Sequence, residues 1–65
     1  MDAKRIAEKL IKLRGEKSRE EVSKALKISV SALAMYEIGA RVPRDEIKLK
    51  LAQYYGKSVQ EIFFD

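Results

Sequence analysis

The chain has 65 residues, 46% of them hydrophobic and 37% charged, with a formal net charge of +4. This length predicts one domain over residues 1–65 with a small core. The chain contains neither histidine nor cysteine, which argues against disulfides, the common transition-metal sites and histidine-dependent catalytic triads. We therefore expect no metal, no cofactor and no enzymatic activity. The lack of cysteine is typical of a reducing cytoplasm, and no apolar run approaches the ~20 residues of a membrane span.

The first predicted helix begins after Asp2 and ends before Gly15. Its apolar residues recur at helical spacing: Ala3, Ile6, Ala7, Leu10 and Leu13. The carboxylate of Asp2 can accept hydrogen bonds from the first free backbone N–H groups, and glycine is common just past the end of a helix.

Two short helices are predicted next, separated only by Lys27, Ile28 and Ser29. The first begins at Ser18, since Ser18 and Glu21 have the spacing of a capping box. Helices joined by so short a turn cross steeply, which leaves one of them protruding from the surface. The apolar face of the first is expected to comprise Val22, Ala25 and Leu26, and the inward positions of the pair are Val22, Leu26, Ile28, Leu33 and Tyr36.

The chain is predicted to end in two more helices. Pro43 marks the start of the fourth, with acidic residues in its first turn where the helix dipole favours them. Its apolar stripe ends before Gly56 and consists of Ile47, Leu51, Tyr54 and Tyr55. A second capping box at Ser58 and Glu61 opens the last helix. The pattern as a whole predicts an all-α domain of five helices.

The positive charge is concentrated near the beginning of the chain. Residues 1–27 contain nine Lys or Arg and five Asp or Glu, which accounts for the entire surplus of four. Such an excess is either a solvated helix face or an electrostatic surface for phosphates, and charge alone does not separate these interpretations.

Four segments resemble the phage-repressor-type helix-turn-helix family (Cro/cI, or XRE-like): RIAEKLIKLR, SREEVSKALKIS, VSALAMYEIGARVP and LAQYYGKSVQEIFF. The most specific part is the run of Glu37, Gly39, Arg41 and Pro43. The resemblance implies a compact, lambda-repressor-like five-helix fold that binds double-stranded DNA through the major groove. It also implies a transcriptional regulator, expected to be a cytoplasmic repressor of bacterial or phage origin that occupies a palindromic operator.

The resemblance also implies roles for individual residues. The base-reading positions are Val30, Ser31, Ala32 and Met35, and the phosphate-contacting candidates are Lys17, Arg19, Ser29 and Arg41. Arg14 and Glu37 match a structural ion pair between the first helix and the recognition helix. An alternative interpretation of that pair, a catalytic acid and its modulator, is not favoured.

The sequence departs from the family pattern at informative positions. Arg19 stands where relatives usually carry glutamine. Lys27 stands where they usually carry glycine, and a residue with a side chain at positive φ lowers the stability of the fold by ~1 kcal/mol. The base-reading positions hold no Gln, Asn or Arg, so bidentate hydrogen bonding to purines is not available from them. Thymine methyl contacts, serine hydroxyls and DNA shape remain as means of recognition. Met35 is alternatively a packing residue, and Val30 and Ala32 are alternatively part of a protein-contact surface.

A homodimer is expected because one recognition helix with weak base-reading residues covers only a few base pairs. The contact between the two copies is expected at the C-terminus. Ile62, Phe63 and Phe64 are three consecutive large apolar residues on a short helix, and we expect Ile62 and Phe63 to divide between core and interface, with Phe64 the more exposed. A loosely ordered terminus is the alternative.

The leading function that the resemblance implies is a DNA-binding regulator without a small-molecule ligand. The second is a protein-interaction module of the same fold.

Overall fold

The computed structural model describes residues 2–65, and over that range it contains helices and no strand. The elements are α1 (Ala3–Arg14), α2 (Arg19–Leu26), α3 (Val30–Glu37), α4 (Asp45–Tyr55) and a short π-helix (Gln60–Phe64). The predicted all-α class with five helices is confirmed. Within the described part of the chain, no helix has the length and apolar character needed to cross a membrane.

Local hydrogen bonds account for where the helices begin. Asp2 caps α1 by accepting from the backbone N–H of Lys4 and Arg5. Ser18 and Ser29 cap α2 and α3 through their hydroxyls, each accepting from the N–H three residues later. The capping box before the π-helix is complete, since the Glu61 carboxylate also accepts from the N–H of Ser58 at 2.9 Å.

The core forms where α1, α2, α3, α4 and the π-helix meet. Its buried hydrophobic residues are Ile6, Leu10, Val22, Leu26, Leu33, Tyr36, Ile47, Leu51, Ala52, Ile62 and Phe63. The predicted inward position Ile28 is only partly buried against this cluster. The predicted face of α2 is wrong at one position: Ala25 is exposed, and Ser23 is buried instead. Burial of Ser23 is tolerated because its hydroxyl donates to the carbonyl of Glu20 at 3.2 Å.

The C-terminal residues correct the predicted division between core and interface. Ile62 and Phe63 are each only 2% exposed and belong to the core of the single chain. The turn of the π-helix brings both side chains to the same core cluster. Phe64 is 53% exposed, and the Lys48 ammonium lies 5.4 Å from the centre of its ring. Of the three residues, Phe64 alone offers substantial surface to a second copy.

Candidate nucleic-acid interface

The turn between α2 and α3 is fixed by a left-handed residue. Lys27 has φ 58° and ψ 43°, in the region that glycine adopts more readily than a residue with a side chain. The turn is closed by hydrogen bonds from the N–H of Lys27 to the carbonyl of Lys24 and from the N–H of Ile28 to the carbonyl of Ser23. These bonds satisfy two of the last four carbonyls of α2 and direct the chain into α3 within three residues.

The outer surface of α3 is small and mostly apolar. Leu33 and Tyr36 are buried, whereas Val30 is 39% exposed and Ser31 is also exposed. Ala32 and Met35 are half-buried, and Ala32 packs against the core cluster. Of the four predicted base-reading residues, the two at the beginning of α3 are therefore the more accessible ones.

The beginning of α3 has the electrostatic character of an anion-binding helix end. Its first turn contains no acidic residue, and its backbone N–H groups carry the positive end of the helix dipole. Ser29 is exposed, and its hydroxyl oxygen accepts from the N–H of Ala32 at 2.9 Å. The hydroxyl proton remains able to donate, because a serine can accept and donate at the same time.

The predicted phosphate contacts differ in their surroundings. Lys17 is exposed, but its ammonium donates to the Tyr54 hydroxyl at 3.2 Å and lies 4.8 Å from the centre of that ring. Arg41 is exposed and lines a cleft between α3 and α4. Arg44 lines the same cleft, although the sequence did not predict it as a phosphate contact. Its position could have indicated this role, because Arg44 is the N-cap of α4 and makes no side-chain cap bond. Ser, Thr, Asp or Asn is usual at an N-cap.

An ion network joins α1 and α2 to the end of α3. The Glu37 side chain is fully buried, and Arg14 Nε donates to both of its oxygens, at 2.8 and 3.1 Å. Arg19 Nε donates to Glu37 Oε1 at 2.8 Å. The hydrogen bond to Glu37 raises the pKa of Arg14 above its ordinary value. Arg19, predicted only as a phosphate contact, thus also pairs with the carboxylate predicted to bind Arg14.

Two neighbouring tyrosines of α4 lie near this network, and Tyr55 is close enough for the charge of Glu37 to affect its pKa. The rings of Tyr54 and Tyr55 meet edge to face, with their centres 5.2 Å apart. The Tyr55 hydroxyl is buried and has no hydrogen-bond partner among the described residues. Burial, followed by the negative charge of Glu37, raises the pKa of Tyr55 to about 12. This environment is that of a packing residue of the domain interior.

A short, tightly closed turn between α2 and α3, followed by a helix with an exposed beginning, is the arrangement of a helix-turn-helix unit. The family model described as helix-turn-helix matches residues 6–62. The chain belongs to this family of DNA-binding transcription regulators, the Cro/cI or XRE type. Searches of curated proteins and of solved structures gave no match.

Proposed function

We propose that this domain is a cytoplasmic, sequence-specific transcriptional repressor from a bacterium or phage that occupies a palindromic operator. The observation that carries the proposal is the accessible beginning of α3, where exposed Val30 and Ser31 follow the Ser29 cap in a first turn with no acidic residue. Occupying an operator requires no surface beyond the one that binds DNA. Repression is therefore the simplest regulatory action for such a domain.

Phosphate contacts on both sides of α3 would supply most of the affinity. Arg19 begins α2, Ser29 caps α3, and Arg41 follows α3 with Arg44 beside it. Lys17 completes the set if its ammonium leaves the Tyr54 ring. Such contacts fix the orientation of the domain on the duplex but do not read its sequence.

Base recognition would rely on shape and apolar contact. Val30, Ala32 and Met35 can contact thymine methyl groups, and Ser31 can donate to or accept from either kind of base pair. None of these side chains can form a bidentate pair with guanine or adenine. Discrimination per base pair is therefore expected at the weak end of the usual range, with DNA deformability contributing the rest.

The salt dependence of binding to mixed-sequence duplex DNA tests the proposal. Four cationic side chains at phosphates, Lys17, Arg19, Arg41 and Arg44, give a slope of log K against log salt near −3.6, or a loss of about 150-fold between 50 and 200 mM salt. Fluorescence anisotropy on a labelled duplex measures this slope. Selection from a random duplex pool then gives the operator and shows whether it is palindromic. Binding that does not respond to salt would refute the proposal.

A homodimer is part of the proposal because one short recognition helix covers only a few base pairs. Specific regulators reach about 10⁻⁸–10⁻¹¹ M, and a two-fold axis places two recognition helices ~34 Å apart on successive major grooves. Phe64 is the exposed apolar anchor at the C-terminus. Sedimentation of wild type, Phe64→Ser and the similarly exposed control Leu49→Ser tests this. A monomeric wild type that binds a half-site as tightly as a palindrome would exclude the dimer.

The second candidate function is a protein-interaction module of the same fold. It is favoured by the apolar character of α3, where Val30 is partly exposed, and by Ile38 just after it, which is 65% exposed. Apolar association depends little on salt, so the titration described above separates the two functions.

A further inference from the structure

Glu37 is a buried carboxylate that two arginines share. Arg14 Nε contacts both oxygens, and Arg19 Nε contacts Oε1, with shortest distances of 2.8 Å in each pair. One negative and two positive charges leave the cluster with a net charge of +1. Because Arg14 alone offsets the charge of Glu37, Arg19 is not required for neutralisation.

The two arginines differ in the hydrogen bonds that their Nη groups make. Arg14 also donates through Nη1 to the carbonyl of Lys17 at 2.7 Å, and its side chain is 18% exposed. The Arg19 side chain is 35% exposed, and its hydrogen bonding to the described residues is through Nε only. The Nη1 and Nη2 groups of Arg19 thus retain donors in the planar fork that suits a phosphate.

The location of Arg19 places this fork where a DNA backbone passes. Arg19 is the first residue of α2, the helix that precedes the recognition helix. In helix-turn-helix complexes that preceding helix crosses the sugar-phosphate backbone while the next one enters the major groove. A guanidinium held at this point by its inner edge presents its outer edge to a phosphate.

We propose, on the basis of the proposed function, that Glu37 is a positioning residue for DNA-backbone recognition. Its carboxylate holds Arg19 Nε, so that the Nη groups of Arg19 bind one backbone phosphate while Arg14 offsets the buried charge. Arginine loses considerable rotamer freedom when it binds, and a side chain already held in place loses less of it. The same carboxylate therefore anchors α3 and orients a DNA contact on α2.

The proposal predicts that Glu37→Gln changes the affinity for DNA in the direction opposite to the one expected from net charge alone. Glu37→Gln removes a negative charge, which by itself strengthens attraction to DNA. If Glu37 positions Arg19, the same change instead weakens binding by about 3-fold, because the fork must be ordered during binding. In an Arg19→Ala background, where there is no fork to hold, Glu37→Gln should not weaken binding at all.

The experiment is this double-mutant cycle on a mixed-sequence duplex, measured by anisotropy at a temperature where circular dichroism shows every variant folded. Arg19→Ala alone should reduce the salt slope by about one. An equal increase of affinity on Glu37→Gln in both backgrounds would overturn the positioning role. A wild-type chain that shows no salt-dependent binding would overturn the proposed function as well, so the two failures are distinguishable.

Arg19→Lys keeps the test decisive if Glu37→Gln does not fold. The charge at position 19 is retained and Glu37 remains paired with Arg14, but a lysine ammonium cannot bind the carboxylate and present a planar fork. We expect about 3-fold weaker binding with an unchanged salt slope, whereas the exposed control Arg5→Lys binds as wild type. Wild-type affinity for Arg19→Lys would overturn the proposal.

Discussion

Replacing Glu37 by alanine should destabilise this domain more than any exposed substitution. The change leaves two guanidiniums without their shared carboxylate, in a site where the Glu37 side chain is fully buried. Removing one partner of a buried ion pair costs about 3–5 kcal/mol. Arg14 and Arg19 are partly exposed and can turn towards water, which places the expected loss near 3 kcal/mol.

That loss is large for a domain of this size. Stabilities of about 0.05–0.15 kcal/mol per residue give roughly 3–10 kcal/mol for the whole chain. A loss near 3 kcal/mol corresponds to a decrease in Tm of about 12–24 °C, or to an unfolded chain if the starting stability is low. Thermal and urea unfolding followed by circular dichroism measure the change in the free energy of unfolding.

The matched control is Glu8→Ala, the same substitution at an exposed position of α1, with an expected change within about 0.5 kcal/mol. Lys9 is less suitable as a control, because its ammonium donates to the carbonyls of Glu61 and Asp65. Similar small losses for Glu37→Ala and Glu8→Ala would refute the reasoning, since they would show that the ion network contributes nothing to folding.

Four further predictions concern single positions. Lys27→Gly should stabilise the domain by about 0.5 kcal/mol by relieving the positive φ, whereas the helix-interior control Lys24→Gly should cost about 1 kcal/mol in urea unfolding. Tyr55→Phe should raise stability by up to about 1 kcal/mol because its hydroxyl is buried without a described partner, and a clear loss would reveal one. On the selected operator, Met35→Ala should cost about 1 kcal/mol, and replacing the contacted thymine by uracil should cost as much without adding to it. The pKa of Glu61 is lowered by its bonds to Ser58, so the C-terminal capping box should persist through the usual glutamate range as pH falls and open only below it, as followed by the Ser58 amide resonance.

Local chemistry explains why the helix boundaries were predictable. Asp2, Ser18 and Ser29 cap helices through hydrogen bonds that span two or three residues, so short sequence patterns contain the necessary information. The left-handed conformation of Lys27 was likewise expected, because sequences of the resembled family usually carry glycine at this position. Boundaries set by neighbouring residues can be inferred without the fold.

Contacts between distant residues were only partly predictable. The contact between Arg14 and Glu37 was expected from the family resemblance, whereas the second bond from Arg19, 18 residues from Glu37, has no local signature. The burial of Ser23 instead of Ala25 depends on how α2 is rotated against its neighbours. The burial of both Ile62 and Phe63 depends on how the π-helix is seated, which periodicity in a five-residue element cannot specify.

Under the proposed mode of DNA binding, the small, exposed side chains at the beginning of α3 would make the binding preference of this domain easy to reassign. Val30 and Ser31 lie outside the core cluster, so larger polar residues can replace them without creating a cavity or a clash. Asparagine or arginine at either position would add bidentate hydrogen bonding to adenine or guanine, each pair contributing about 1–3 kcal/mol of discrimination. On that proposal the scaffold is suited to engineering, because a library limited to these two codons would sample new operators while the ion network and the core stay intact.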